Sequence, residues 1–186
     1  MKAVKDSIRD ELLVLRCRRK DKAALEELIR AWESPLFYYV RQLVDSEADA
    51  WDVLQQTWLR AIQGISSLKE PRSLPVWLYT IARRTALRRL RDQYQDRNSA
   101  AEQNELANAA APEDDASFQN AQQVSYGLGL ISRPHREILT LFFLDDLSVD
   151  EIAAVLELPA GTVKSRLHYA KRALRKVLDE EGMKHG

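Results

Sequence analysis

Apolar residues recur at spacings of three and four along most of this chain, and no stretch shows a convincing alternation of apolar and polar residues. The first pattern is typical of amphipathic helices and the second of half-buried strands. Glycine and proline, which interrupt helices, number only six each in 186 residues. The sequence therefore predicts an all-α protein, with helices near residues 5–18, 21–31, 35–45, 47–63, 74–94, 120–131, 134–145, 149–156 and 160–180.

Capping residues mark several of these helix boundaries. Ser34 before Pro35 predicts a helix start, because serine caps free N–H groups and proline fits the first turn. Ser148 followed by Glu151 has the spacing of a capping box. Residues 69–74 are predicted to form a loop ahead of a long helix.

Residues 97–119 separate two helical regions. This segment is rich in alanine, asparagine and acids but has few large apolar side chains, so it cannot bury enough surface to order itself. We expect a flexible acidic linker between two small helical domains, residues 1–96 and residues 120–186, the second a four-helix unit. The linker carries the acids Glu102, Glu105, Glu113, Asp114 and Asp115.

Composition and motifs exclude several kinds of site. A single cysteine, Cys17, rules out a disulfide framework and a multi-cysteine metal site. The three histidines lack metal-ligand spacing, and neither a phosphate-binding glycine loop nor a nucleophile elbow is present. No apolar run approaches the ~20 residues of a membrane span. We therefore expect a cytoplasmic protein with no catalytic residue, metal, cofactor, small-molecule substrate or membrane insertion.

Positive charge is concentrated in two regions, although the chain as a whole is neutral, with 28 Lys plus Arg and 28 Asp plus Glu. The second region is the helix predicted at 160–180. At about 100° per residue, its apolar sector consists of Val163, Leu167, Ala170, Leu174, Val177 and Leu178. The nearly opposite sector is small, polar or cationic and consists of Gly161, Lys164, Ser165, His168 and Arg172.

A short capped helix at 149–156 and a break at 157–159 precede this basic helix. Together they predict a helix-turn-helix, whose second helix enters the DNA major groove by its N-terminal end. The alternative is a surface helix whose cations are merely solvated. We expect DNA contacts from Thr162, Lys164, Ser165, Arg166, His168 and Arg172.

The first basic region is the helix predicted at 74–94. One of its faces carries an aromatic ring and cations, which suits nucleic acid with exposed bases, because cations hold phosphates and rings stack on bases. The alternative is that Trp77 belongs to the core and that the arginines are solvated. Arg83 and Arg89 lie off this face and serve either structure or phosphate. The face consists of Trp77, Thr80, Arg84, Arg88 and Arg91.

Three blocks, "DAWDVLQQTWLRAI" (49–62), "LPVWLYTIARRTALRRLRD" (74–92) and "LSVDEIAAVLELPAGTVKSRLHYAKRALRKVL" (147–178), together resemble the bacterial extracytoplasmic-function sigma factors. The resemblance extends from about residue 21 to 178, with the blocks in the family's order. It implies a transcription initiation factor that binds core RNA polymerase and promoter DNA and performs no chemistry itself. Regulation is then expected from outside the chain, by an anti-sigma factor that covers both DNA-binding surfaces.

The resemblance also implies roles for each part. The N-terminal domain would recognise and melt the promoter −10 element, and the C-terminal domain would read the −35 element. The linker would pass near the RNA exit path of the polymerase. The residues implied in docking on core RNA polymerase are Asp52, Gln55, Gln56 and Arg60.

Three positions depart from the family pattern. Trp51 stands where the family often has an acid, and Gln56 stands where it often has glutamate, so the docking face is less acidic and more apolar than usual. Arg84 occupies a position where several relatives carry asparagine for a flipped promoter base. We expect Arg84 to contact the −10 strand, while its base preference stays open.

Two other functions are compatible with a helix-turn-helix. A self-sufficient repressor would bind duplex DNA without polymerase, as a symmetric dimer. An adaptor or anti-sigma-like protein would bind other regulators rather than DNA. The two unlike domains argue against the repressor, and the intact basic faces argue against the adaptor.

Overall fold

The computed structural model describes residues 2–99, 126–143 and 146–182. The chain divides into two compact units, Met1–Ala101 and Glu102–Gly186. Every regular element in the described residues is helical, which confirms the all-α prediction. None of the described helices combines the length and the apolar character that crossing a membrane requires.

Unit 1 is built from four α-helices and two short 3-10 turns. Asp21 is the N-cap of the second helix, and its carboxylate accepts from the Ala24 N–H. Ser46 is the N-cap of the third helix, and its hydroxyl accepts from the Asp49 N–H. The 3-10 turns span Ile65–Ser67 and Pro71–Ser73, within and beside the predicted loop. The helices are α1 Lys2–Arg18, α2 Lys22–Arg41, α3 Glu47–Gly64 and α4 Leu74–Ser99.

The prediction that a helix begins at Ser34-Pro35 is wrong. Helix α2 runs through Pro35 without interruption, although an interior proline costs about 3 kcal/mol by removing a hydrogen bond. Apolar burial on both sides of the proline offsets this cost, because Leu28 before it and Leu36 and Tyr39 after it are fully buried. A boundary read from local capping residues is thus overridden by the core.

The core of unit 1 lies where α2, α3 and α4 meet. Tyr39 of α2 and Tyr79 of α4 are fully buried and pack edge to face, with ring centroids 5.1 Å apart. From α1, Arg18 donates to the carbonyl oxygens of Leu68 and Lys69 and so fixes the segment between the two 3-10 turns. This packing places α3 and α4 side by side, which determines the surface they share.

Unit 2 contains α5 Arg133–Phe143, α6 Val149–Leu156 and α7 Ala160–Gly182, preceded by helical residues 126–130. A Cβ added to Gly127 would lie 2.9 Å from Leu174 Cδ1, so this glycine lets the preceding helical turn approach α7 closely. The buried residues of the described part are mainly aliphatic: Leu128, Ile131, Ile138, Leu139, Leu141, Leu147, Ile152, Val155, Leu156, Val163, Leu167 and Ala170.

The helix-turn-helix elements lie as predicted. The Ser148 hydroxyl accepts from the Glu151 N–H, and the Glu151 carboxylate accepts from the Ser148 N–H, which confirms the capping box. Helix α6 ends at Glu157, which adopts the left-handed conformation with φ 56°, and the Leu158 N–H then donates to the Ala153 carbonyl oxygen. Only residues 157–159 separate α6 from α7, and the two helices pack against each other.

The predicted linker falls largely outside the described residues. Residues 97–99 form the last turn of α4, so this helix is longer than the predicted 74–94. Residues 100–119 are not described, and the predicted helix at 120–131 is described only at 126–131, where residues 126–130 are helical.

Candidate nucleic-acid interface

The two faces predicted for α7 are present. Val163, Leu167 and Ala170 are buried against the rest of unit 2. The side chains predicted to contact DNA lie on the outer surface: Thr162 is half-buried, and Lys164, Ser165, Arg166, His168 and Arg172 are exposed. Because the apolar stripe anchors α7 by its inner side, this cationic face is held outward over the first turns of the helix.

Local contacts organise the outer face of α7. The Ser165 hydroxyl donates to the Thr162 carbonyl oxygen at 3.0 Å, and the His168 ring meets the edge of Tyr169, with centroids 5.6 Å apart. Ser165 retains its lone pairs for a donor from outside. The face thus offers a hydroxyl acceptor, an imidazole and cations, the groups that bind base edges and phosphates.

Other cations of α7 make contacts within unit 2. The Lys171 ammonium lies 4.4 Å from the ring centroid of Phe142 and 5.1 Å from that of Phe143, a cation–π contact that ties α7 to α5. Lys176 pairs with Glu180 at 3.8 Å within the helix. The basic segment therefore contains both contacts within unit 2 and an outward face.

On α4, Arg84, Arg88 and Arg91 are exposed on one side, as the helical wheel predicts. Together with Arg60 of α3, Asp92 and Gln95, they line an open depression of about 460 Å³. The three arginines of the predicted face are thus brought together in unit 1. Their spacing of four and three residues places them one above another along the helix.

Trp77 is neither fully buried nor fully exposed. Its side chain is half-buried, and its ring lies against α3, where a Cβ added to Gly64 would be 3.1 Å from Trp77 Cζ2. The Thr80 hydroxyl, predicted on the same face, donates to the Val76 carbonyl oxygen at 2.7 Å. Trp77 is therefore anchored by packing while part of its surface faces solvent.

Arg89 serves the structure of unit 1. Its Nε and Nη2 both lie 2.9 Å from Asp49 Oδ1, which also accepts from Gln93 at 2.8 Å. Burial acts to raise the pKa of Asp49, but hydrogen bonds from Ser46, Gln93 and Arg89 outweigh it and lower the pKa below its ordinary value. This network joins the start of α3 to α4. The sequence alone did not decide whether Arg89 serves structure or contacts phosphate, because its partner Asp49 lies 40 positions away.

The four residues predicted to dock on polymerase separate into two groups. Asp52, Gln55 and Gln56 are exposed on α3. Arg60 is half-buried and turns toward α4, where its Nη1 donates to Thr85 Oγ1 at 2.5 Å. Arg60 thus shares a surface with Arg84 rather than with the three other residues.

Helix α3 carries a strip of exposed apolar side chains, of which only Trp51 was singled out from the sequence. The Trp51 ring packs on Phe37, with centroids 4.2 Å apart, yet the residue is 48% exposed. Leu59 and Ile62 are also exposed, and all three lie on the helix side that carries Gln55. Their spacing of eight and three residues was the signal that could have revealed them.

The two surfaces present groups that can bind a ligand. Among the residues with described placement, no three His, Cys, Asp or Glu side chains come together as metal ligands would. What the two surfaces do offer is guanidinium and ammonium groups, a partly exposed indole and polar side chains. These groups suit contacts with a polyanion.

Family models match both units. The model of sigma-70 region 2 matches residues 28–95, and the model of sigma-70 region 4 matches residues 131–174. The chain is 30% identical over 165 residues to the ECF RNA polymerase sigma factor SigL of Mycobacterium tuberculosis, an alignment that covers 88% of this chain and 93% of SigL. The chain belongs to the extracytoplasmic-function (ECF) sigma factors.

Other proteins and solved structures are also similar to this ECF sigma factor. SigW of Bacillus subtilis is 27% identical over 172 residues, covering 87% of this chain and 92% of SigW. The structure of CnrH in complex with the cytosolic domain of CnrY superposes with a TM-score of 0.65 at 25% identity, covering 92% of this chain and 98% of CnrH. The sigma factor RpoE from Bartonella quintana shares the fold, with a TM-score of 0.73 at 23% identity. The superposition covers 83% of this chain and 96% of RpoE.

Membership fixes the general function. ECF sigma factors bind core RNA polymerase and direct it to particular promoters, so this chain acts in promoter-specific transcription initiation. The family is one of initiation factors, not of enzymes. The family model matches place region 2 in unit 1 and region 4 in unit 2, which agrees with the order of the three sequence blocks.

Proposed function

We propose that the two basic faces divide promoter recognition between the two units. The outer face of α4 binds the −10 element, and the outer face of α7 reads the −35 element. The observation that carries this proposal is that each face presents exposed cations on the side of its helix opposite a buried apolar stripe. Each such helix lies in a different sigma-70 region.

In unit 2, the first turns of α7 enter the major groove. Lys164 reaches guanine or phosphate, Ser165 and His168 lie beside it, and Arg172 meets backbone phosphate farther along. Thr162 and Arg166 complete this set. The short turn after α6 supports the assignment, because it fixes α7 relative to the helix that crosses the DNA backbone.

In unit 1, α4 holds the strand that is exposed when the promoter opens. Unstacking costs about 1.4 kcal/mol per base step, so captured bases must offset it. The half-buried Trp77 offers part of its ring for stacking, and Thr80 lies on the same face. Arg84, Arg88 and Arg91 hold the strand by its phosphates.

Core RNA polymerase binds α3 at a mixed polar and apolar face. Asp52, Gln55 and Gln56 supply its polar part, and the exposed Trp51 and Leu59 supply its apolar part. Interfaces commonly combine an apolar centre with a polar rim. This composition agrees with the less acidic face noted in the sequence.

In this proposal, residues 1–96 form the −10 domain, residues 120–186 form the −35 domain, and residues 97–119 link them near the RNA exit path. The chain catalyses no reaction and needs no cofactor, because nucleotide addition belongs to the polymerase. Its site of action is the cytoplasm, where core RNA polymerase and promoters are found.

Regulation by an anti-sigma factor is part of the same proposal. RpoE of Bartonella quintana was solved with the anti-sigma factor NepR, and CnrH was solved with the cytosolic domain of CnrY. We expect a comparable inhibitor for this chain. Purified inhibitor should block runoff transcription and lower the affinity of the chain for core polymerase.

Runoff transcription from a genomic promoter library, with core polymerase and mapped start sites, tests the proposal. We expect defined start sites that depend on this chain, preceded by two shared sequence elements. Tight operator binding by the free protein in gel shifts would favour the repressor instead. Failure to bind DNA even with core polymerase would favour the adaptor.

A further inference from the structure

The depression between the second half of α3 and the second half of α4 is strongly basic. Its volume is about 460 Å³. Four guanidinium groups and a single carboxylate line it, so its positive charge favours an anionic ligand. The lining residues are Arg60, Arg84, Arg88, Arg91, Asp92 and Gln95.

A hydroxyl from α4 holds Arg60 in this depression. Arg60 Nη1 donates to Thr85 Oγ1, and the Thr85 hydroxyl donates its own hydrogen to the Ile81 carbonyl oxygen at 2.8 Å. One hydroxyl can make both bonds, because it has one hydrogen and two lone pairs. Thr85 is only 5% exposed, so its position is fixed by the core. Arg60 is therefore oriented toward the arginines of α4.

We propose that Arg60 binds a backbone phosphate of the promoter strand, and that Thr85 is its positioning residue. This inference rests on the proposed function, because it requires that α4 holds the −10 strand. It changes the role implied for Arg60 by the resemblance, which was docking on polymerase. Thr85 occupies one of the five guanidinium N–H donors, and the others are available for phosphate oxygens.

The lining of the depression favours phosphate over a base. None of its six residues is aromatic, so the depression lacks the ring platform on which exposed bases commonly stack. Arg84 and Arg91 are seven residues apart, which is about 10 Å along the helix. Cations spread in a row over this distance suit successive phosphates of one strand rather than a compact anion.

Arg60→Gln tests the inference with two separate measurements on the full chain. The first is affinity for core RNA polymerase, which we expect to stay within twofold of wild type. The second is affinity of the holoenzyme, at saturating core, for a promoter already opened at −10, which we expect to fall roughly tenfold. The slope of log affinity against log salt should decrease by about 0.7, the value for one phosphate of a single strand.

The positioning role of Thr85 has its own test. Thr85→Val removes the hydroxyl and keeps the shape, whereas Thr85→Ser keeps the hydroxyl. We expect Thr85→Val to reproduce part of the loss on opened promoter and Thr85→Ser to restore it. Thermal melting of both variants separates this effect from folding, and the exposed Arg19→Gln is the control for a lost surface charge.

Two results would overturn the inference. One is weaker binding of Arg60→Gln to core polymerase with unchanged binding of the holoenzyme to opened promoter, which would make Arg60 a docking residue. The other is no change in either measurement. Arg84→Gln separates failure of this inference from failure of the proposed role of α4. If Arg84→Gln weakens binding to opened promoter and Arg60→Gln does not, only the inference about Arg60 fails. If neither weakens it, the role proposed for α4 fails as well.

Discussion

Helices α4 and α7 both carry many cations but place them in different ways. On α4, Arg89 is bound to Asp49 of a neighbouring helix, and only part of the positive charge faces outward. On α7, Lys164 and Arg166 project into solvent from the first two turns, and Arg172 does so farther along the helix. Unit 1 thus pairs one arginine of its basic helix with a carboxylate of another helix, whereas unit 2 holds a lysine of its basic helix against aromatic rings. Both helices also present outward cations.

The difference follows from the elements that pack against each helix. Helix α3 brings Asp49 and Asp52 to α4, so two carboxylates distant in sequence reach Arg89. The inner face of α7 is covered mainly by aliphatic side chains, and Lys171 is held by aromatic rings. The outer faces of both helices could therefore be read from local sequence, whereas the partners of Arg89 and Arg60 depend on tertiary contacts.

The largest effect is expected from removing charge from α7. We expect the double variant Lys164→Ala, Arg172→Ala to bind −35 duplex about 100-fold more weakly as holoenzyme, because it loses one base or phosphate contact and one phosphate contact. Quantitative footprinting measures this loss. Lys176→Ala, which removes an exposed cation paired with Glu180, is the matched control and should bind like wild type. Unchanged start-site choice in the double variant would contradict the role of α7.

Asp49→Asn should disrupt the network in which Asp49 accepts from Arg89 and Gln93. We expect a loss of about 2 kcal/mol in the free energy of unfolding, because Arg89 loses its buried partner. Urea unfolding measures it. Asp52→Asn, which alters an exposed pair at 3.7 Å, should cost much less. Equal stability of Asp49→Asn and wild type would show that the network contributes nothing.

The same carboxylate gives a pH dependence. The pKa of Asp49 is lowered by folding, so its ionised form stabilises the folded state. This stability is fully present above the ordinary aspartate pKa and is lost as pH falls through the lower, folded-state pKa. Asp49→Asn should therefore show a weaker decline in unfolding free energy on acidification. An identical decline in both proteins would assign it to other groups.

Trp77→Ala should separate promoter opening from strand binding. We expect roughly tenfold slower opening of duplex promoter but nearly normal binding to a pre-opened one, because stacking helps to offset the melting cost. Stopped-flow fluorescence of a probe near −10 measures opening. Equal loss on both templates would count against this role.

Gly64→Ala offers a milder version of the same test. Its Cβ would approach Trp77 Cζ2 to 3.1 Å, so the ring must shift by a few tenths of an ångström. We expect a smaller defect than with Trp77→Ala, again confined to opening of duplex promoter. A defect confined to thermal stability would mean that the ring position matters only for packing.

The smallest effect is expected at the cap of α6. Ser148→Ala removes the hydroxyl that accepts from the Glu151 N–H and should destabilise unit 2 by about 1 kcal/mol. Thermal unfolding of unit 2 within the full chain measures it. Binding to −35 DNA should be nearly unchanged at temperatures where the unit is folded. Complete loss of binding there would show that α7 is positioned mainly by this cap.

Much of the fold was readable from sequence because its signals are local. The helix-turn-helix was predicted at 149–156 and 160–180 and lies at Val149–Leu156 and Ala160–Gly182. Its apolar stripe and capping box are properties of neighbouring residues. The start at Ser34-Pro35 was wrong, because burial of Leu36 and Tyr39 extends α2 through the proline.

The surface of unit 1 was less predictable. Arg89 and Arg60 find their partners, Asp49 and Thr85, 40 and 25 positions away, and no helical wheel contains such pairs. The sequence did not decide whether Trp77 belongs to the core or contacts DNA. Its side chain packs against α3 and is also partly exposed. Pairing between α3 and α4 decides which cations remain for a ligand.

The most direct test of the account is a crossed comparison of variants and promoters. Holoenzyme with Arg84→Gln, Arg88→Gln and holoenzyme with Lys164→Ala, Arg172→Ala are each measured for affinity to two fragments of a mapped promoter, one with an opened −10 element only and one with a −35 duplex only. Because phosphate contacts set affinity rather than sequence preference, we predict that the α4 variant loses affinity only for the −10 fragment and the α7 variant only for the −35 fragment. If both variants lose affinity equally for both fragments, the two helices do not divide promoter recognition.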